Sequence, residues 1–162
     1  MNLLIIRHGI AEDREGMEDA HRRLTGQGRK RMKQGAKALR KVVTHLDILA
    51  TSPLLRAVQT GEIVAGQYDG LTPISIAPLS PGKTPMTLLN WLQKQPAEAT
   101  IALVGHEPGL SIFISWMLTG LQESFVEMKK GGACLLKIEG ELRPARAKLQ
   151  WHLKASQLRD MG

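Results

Sequence analysis

The chain has almost no cysteine: Cys134 is the only one in 162 residues. An intramolecular disulfide cannot form and a Cys-rich zinc site is excluded, so a reducing, cytoplasmic setting is expected. Beside Leu135 and Leu136, Cys134 reads as a small core residue rather than a nucleophile. Aromatic residues are only 4% of the chain, and none interleaves with a basic run, so nucleic acid is not expected as a partner. Long apolar runs are missing too. Leu3–Ile6 and Ile101–Val104 fall far short of the roughly 20 residues a membrane span needs, and no membrane partner is expected. The start, Met1-Asn2-Leu3-Leu4-Ile5-Ile6, lacks a basic n-region and a small-residue cleavage site, and reads as a strand rather than a signal peptide.

What is present is ordinary for a globular protein: 43% hydrophobic and 23% charged residues, over a length that suits one domain across residues 1–162. Lysine and arginine number 22 against 15 acidic residues, a formal net charge of +7. That balance favours an anionic partner, whether nucleic acid, an acidic protein face or phosphate, without choosing among them.

The pattern along the chain alternates strands and helices. Asn2–Ile6 is a strand apolar on both faces. Ile10 to Arg23 has no apolar period and reads as a loop. Thr25 is a suitable N-cap for a helix to about Thr44, with Met32, Ala36, Leu39 and Val43 at helical spacing and Val42 widening the stripe. Asp47–Thr51 is a second strand. Ser52-Pro53 looks like an N-cap with proline at the first helical position, opening a helix that carries Arg56, Thr60 and Ile63 and ends near Gly66. Ile74–Ile76 is a third strand, Thr84-Pro85 caps a helix over Met86–Gln95, and Thr100–Val104 is a fourth strand before a helix over Leu110–Leu118. Cys134–Ile138 and Lys148–Leu153 are further strands, and the last residues form a short helix or a loose tail. The expected fold is a three-layer α/β/α sandwich: a mostly parallel central sheet with helices on both faces.

Three strand ends then draw attention. Arg7-His8-Gly9 follows the first, Ser52-Pro53-Leu54-Leu55-Arg56 the second, and Gly105-His106-Glu107-Pro108 the fourth. Ligands of parallel α/β sheets bind outside the carboxyl ends of the strands, so neighbouring strands would bring Arg7, His8, Arg56 and His106 together. Helix N-termini there favour an anion. Two arginines can grip a phosphoryl group through paired donors, and two histidines supply a nucleophile and a further donor. There is no Walker glycine loop. No zinc-type histidine pairing occurs and no carboxylate cluster suggests Mg²⁺. Phosphoryl transfer through a histidine, with neither metal nor cofactor, is the economical reading.

The three blocks, in this order over Asn2–Gly109, resemble those of the histidine phosphatase superfamily, the phosphoglycerate-mutase-like fold. The chain's short length and Arg22-Arg23-Leu24-Thr25-Gly26-Gln27-Gly28 are similar to its compact SixA-type branch. The resemblance implies that His8 is the nucleophile, attacking phosphorus through Nε2 to form a phosphohistidine intermediate that water hydrolyses. Attack needs a neutral ring, so its other nitrogen is expected to donate to a backbone carbonyl. Arg7, Arg56 and His106 would hold the phosphoryl oxygens, with Arg22 as a fourth group and Ser52 as either a hydroxyl donor or a helix cap. For the general acid Asp19 comes first, with Glu12, Asp13, Glu15 and Glu18 as alternatives. The implied substrate is phosphohistidine on a signalling or phosphotransfer protein with an acidic face, and phosphate ion is the other implied partner. A small-molecule phosphomonoesterase is the alternative within the class, and a phosphoprotein-binding module without catalysis the alternative outside it.

Other residues have plainer readings. Glu107 favours the following helix N-terminus. The basic helix Arg29–Lys41 is a solvated face, or else a surface that docks an acidic partner. His21, His45 and His152 stand in no motif, and Trp91, Trp116 and Trp151 read as packing residues.

Overall fold

The computed structural model of the protein describes all of residues 1–162. Its strands are β1 (Asn2–Arg7), β2 (Ile48–Thr51), β3 (Ile74–Ser75), β4 (Thr100–Gly105), β5 (Ala133–Ile138) and β6 (Ala147–Leu153). Its helices are α1 (Gly26–Val42), α2 (Leu55–Ala65), α3 (Pro85–Leu92), α4 (Gly109–Thr119) and α5 (Ala155–Asp160). The six strands form one sheet in the order β3-β2-β4-β1-β5-β6. The first four are mutually parallel, and β5 pairs antiparallel with both β1 and β6, so β5 alone runs against the rest; the expected α/β/α sandwich with a mostly parallel sheet is what forms.

Leu3 to Ile6 are completely buried because successive side chains go to opposite faces and both faces are covered. Leu3 and Ile5 pack with Leu88, Leu92, Phe113 and Ile114 of α3 and α4. Leu4 and Ile6 pack with Met32, Leu39, Val64 and Leu158 of α1, α2 and α5. Each such side chain contributes about 1.5–3 kcal/mol, which holds the middle strands rigidly and fixes where their ends lie.

Thr25 caps α1 as expected, its hydroxyl accepting from the Gly28 N–H at 2.9 Å. Gly28 is required for another reason: a Cβ there would collide with the Ile10 carbonyl. The absence of a side chain lets the loop after β1 lie directly on α1, where the Thr25 N–H reaches Ile10 O at 3.0 Å.

Several boundaries differ from expectation. Val42 does not extend the buried stripe; it ends α1 and is 40% exposed. The third strand is reduced to Ile74–Ser75 at the sheet edge, with Ile74 exposed, and a 3-10 turn over Ala77–Leu79 replaces its continuation. Thr84 opens α3 with its backbone alone, and the helix stops at Leu92. Ser52 does not cap α2. The N-cap is Leu54, and the Ser52 hydroxyl instead takes the Leu54 N–H at 3.2 Å, which frees it for the site below. The chain's end folds as α5, anchored by the fully buried Leu158.

Candidate active site

Pairing sets Arg7 opposite Gly105 and Thr51 opposite Val104. The next residues, His8, His106 and Ser52, therefore emerge side by side at the carboxyl ends of β1, β4 and β2. Arg56 comes up from the first turn of α2. The imidazole centroids of His8 and His106 are 5.1 Å apart, and the Arg56 Nε–H donates to His8 Nε2 at 3.3 Å. Residues distant in sequence are thus gathered into one pocket, with His8, Arg56 and His106 only 5–6% exposed.

The hydrogen bonds fix the state of His8. Gly9 O is an acceptor 2.7 Å from Nδ1, so Nδ1 carries the proton. Nε2 then holds the lone pair that Arg56 addresses. Burial is the largest influence on this ring and pushes its pKa down to about 3, with the nearby charges of His106, Arg56 and Arg7 adding to that against the Gly9 bond. His8 is neutral at every ordinary pH, with its Nε2 lone pair turned to the Arg56 Nε–H. Gly9 allows its strand end to sit tightly on α1, where a Cβ would stand 2.6 Å from Met32 Cγ.

His106 Nε2 lies 2.7 Å from Ser52 Oγ. With the Ser52 hydroxyl, which accepts the Leu54 N–H, as the donor to Nε2, the ring proton stands on Nδ1. Burial lowers the His106 pKa to about 4, with Arg56 next in effect. Arg7 Nη1 donates to Met128 O at 2.8 Å, which aims the guanidinium. In the whole chain two buried side-chain polar atoms have no partner, and both are here: Arg7 Nε and His106 Nδ1. A buried donor without an acceptor costs about 1–3 kcal/mol, a cost that the oxygens of an anion in this pocket would offset.

The loop after β1 closes one side. Its 3-10 turn places Asp19 against both Arg56 and Arg22: Arg56 Nη2 reaches Oδ2 and Arg22 Nη1 reaches Oδ1, each at 3.1 Å, and Arg56 Nη1 donates to Asp19 O at 2.8 Å. Burial works upward on this carboxyl, but the hydrogen bonds from Arg22 and Arg56 together outweigh it and hold the pKa below its usual value. Arg22 is steadied by Glu12 O at 2.6 Å. Of the other candidate acids, Glu12 pairs with Arg14 and Glu18 with His21, and Asp13 and Glu15 are exposed. Glu107 takes the Ser111 N–H at 3.0 Å and its hydroxyl as well, so it serves the start of α4.

Two supporting residues were missed from sequence. Thr60 bonds Arg56 O at 2.7 Å and receives the Gly9 N–H at 3.1 Å, tying α2 to the histidine loop. Gln59 accepts from Leu24 N–H at 2.8 Å. The available signal was their position one turn beyond Arg56 on the same helix. Beside His106 a crevice of about 470 Å³ opens between the turn carrying Pro81, Gly82 and Lys83 and the start of α4. Lys83 is the cation on its wall.

The buried imidazoles imply an acid-sensitive fold. Both pKa values lie below the ordinary histidine value of 6.5. From pH 8 to pH 5 the unfolded chain gains protons on these rings and the folded chain does not, so stability falls on acidification, by about 4 kcal/mol in all. The lowered carboxyls of Asp19, Asp47 and Glu139 lose their contributions only further down, as pH falls through the carboxylate range. Urea unfolding at the two pH values measures the difference, and equal stability would contradict it.

Fold and site together define an α/β protein with an anion-receiving pocket, built around a neutral imidazole, at the carboxyl ends of parallel strands. The family model of the histidine phosphatase superfamily (branch 1) matches residues 3–79. An uncharacterized protein of Picosynechococcus sp. is 37% identical over 155 residues, 94% of this chain and 90% of that one. The chain belongs to the histidine phosphatase superfamily and is a phosphoryl-group hydrolase. Its fold is shared with the protein histidine phosphatase SixA solved in complex with tungstate, at a TM-score of 0.86 and 21% identity, over 98% of this chain and 99% of that one. It is shared as well with the phosphoserine phosphatase of Entamoeba histolytica, at a TM-score of 0.73 and 19% identity, over 97% and 98% of the two chains. No helix is long and apolar enough to cross a membrane.

Proposed function

We propose that the protein removes phosphoryl groups from phosphohistidine on a protein, without a metal ion, by way of a phosphohistidine on His8. The observation that carries this is the His8 lone pair at Nε2, held neutral and surrounded by donors of which two, Arg7 Nε and His106 Nδ1, lack a partner. Nε2 forms a bond to phosphorus as the bond to the substrate's imidazole nitrogen breaks, and that imidazole leaves neutral, carrying a proton taken from solvent. Water then attacks phosphorus, the P–Nε2 bond breaks, and phosphate leaves with His8 neutral again. Arg7, Arg56, Arg22 and His106 stabilise the charge spread over the phosphoryl oxygens, and Ser52 orients His106.

Asp19 supports the phosphohistidine substrate. A carboxyl held below its usual pKa by two arginines is ionised at neutral pH and a poor acid. An alkoxide leaving group needs an acid; imidazole leaves a phosphoramidate with far less help. The crevice wall supports a protein substrate too, because Lys83 is its charged group not already engaged and little there would select a metabolite. The single unpaired Cys134 accords with a cytoplasmic setting.

The test is turnover of a phosphohistidine protein and of phosphate monoesters measured side by side. The expected result is a preference of at least about 100-fold in kcat/KM for the phosphohistidine, a difference of about 2.7 kcal/mol in the barrier. Faster hydrolysis of a sugar phosphate or phosphoserine would contradict the reading.

A further inference from the structure

Helix α1 carries seven basic residues and no acidic one between Gly26 and Val42. None of them takes part in an ion pair, and neither do Lys130 and Arg159. Elsewhere the surface lysines and arginines commonly do pair, as Lys129 does with Glu127 and Lys148 with Glu139. The unneutralised charge is organised. Gln27, Lys30, Arg31 and Gln34 recur at helical spacing on one face of α1 and, with Gly26 and Arg159 of α5, line an open hollow of about 750 Å³. Arg31 and Arg159 also line a second, smaller hollow that reaches Lys130 and ends at Gly9. Gly9 adjoins His8, so this basic surface runs up to the back of the catalytic loop.

Resting on the phosphohistidine-protein reading above, we propose that Lys30, Arg31, Lys130 and Arg159 form the docking surface for an acidic face of the protein that carries the phosphohistidine. Concentrated charge of one sign without internal partners has a repulsive cost in the free protein, which an acidic surface relieves on docking. Charges of this kind act over about 8 Å at physiological salt, enough to steer a partner so that its phosphorylated side chain arrives at His8. A nucleic acid fits less well, because no aromatic side chain lines either hollow to stack on a base. An anionic membrane fits less well too, because the hollows present no large exposed apolar group for insertion. The exposed Val42 closes the far end of α1, and the exposed Met161 lies by Lys41 there.

The test is the double charge reversal R31E/R159E, assayed on an acidic phosphotransfer domain phosphorylated on histidine and, separately, on N-phosphoimidazole. On the protein substrate KM rises about tenfold or more and the salt dependence flattens, while kcat on the protein and turnover of N-phosphoimidazole stay at wild-type values. A second reversal, K30E/K130E, changes other side chains of the same surface and gives the same split. An unchanged KM on the protein overturns the docking surface. So does equal loss on both substrates in both variants, which marks damage to the site, and so does wild-type affinity for single-stranded RNA or anionic vesicles that exceeds affinity for the protein. Failure of the underlying reading is distinct: it shows as wild-type enzyme that does not turn over the phosphohistidine protein at all.

Discussion

Replacing His8 with alanine lowers turnover by roughly 10⁴-fold or more, to the level left by binding and charge stabilisation alone. Inorganic phosphate still binds within about tenfold of wild type, a change of about 1.4 kcal/mol. The two outcomes separate because the residue and its surroundings do different things. In the proposed mechanism Nε2 of His8, the atom that Arg56 addresses, supplies the lone pair that attacks. In the same mechanism the grip on the anion comes from Arg7, Arg22, Arg56 and His106: Arg7, Arg22 and His106 are anchored at Met128 O, Glu12 O and Ser52 Oγ, and Arg56, which loses its contact with His8, keeps both bonds to Asp19. The variant loses one of the two imidazoles behind the acid sensitivity, so its stability falls less between pH 8 and pH 5. Wild-type turnover in His8→Ala would remove the nucleophile from the mechanism. Lost phosphate affinity would show that the ring holds the anion rather than attacks it.

Changing Arg56 to lysine costs about 100-fold or more in kcat/KM despite the retained charge. The guanidinium does three things at once: Nε meets His8 Nε2, Nη1 meets Asp19 O, and Nη2 meets Asp19 Oδ2. A lysine ammonium is a point charge on a flexible stem and cannot hold a planar fork in this geometry. Its position is rigid as well, since Arg56 is nearly buried and Thr60 ties its carbonyl to the loop at Gly9. A lysine variant within a few-fold of wild type would mean that charge alone suffices. The arginine's shape would then have no part in catalysis.

The strands and the strand-end groups could be read from the chain because their signals are local. Leu3–Ile6 and Ile101–Val104 are apolar on both faces, and only a doubly covered strand uses such a run. Arg7, His8, Arg56 and His106 could be brought together by one rule about parallel sheets, and the register of β1, β4 and β2 does so. What stayed hidden depends on distant partners. Ser52 looks like a helix cap until β4 is placed beside β2, which sets His106 against its hydroxyl. Asp19 sits in a stretch without period, and only the folded loop shows that it spans Arg22 and Arg56 while Glu12 and Glu18 turn to other partners. The unpartnered nitrogens of Arg7 and His106 are properties of the closed pocket, which no residue pattern displays. The short third strand and the exposed Val42 are edge effects, decided by what is absent next to them.

The most direct measurement is a rapid acid-free quench of the enzyme during turnover of a radiolabelled phosphohistidine protein, followed by mapping of the label. The mechanism predicts label on His8, stable to alkali and lost in acid, and absent from the His8→Ala protein. Label on another residue, or full single-turnover hydrolysis with no labelled enzyme at any time, would contradict it.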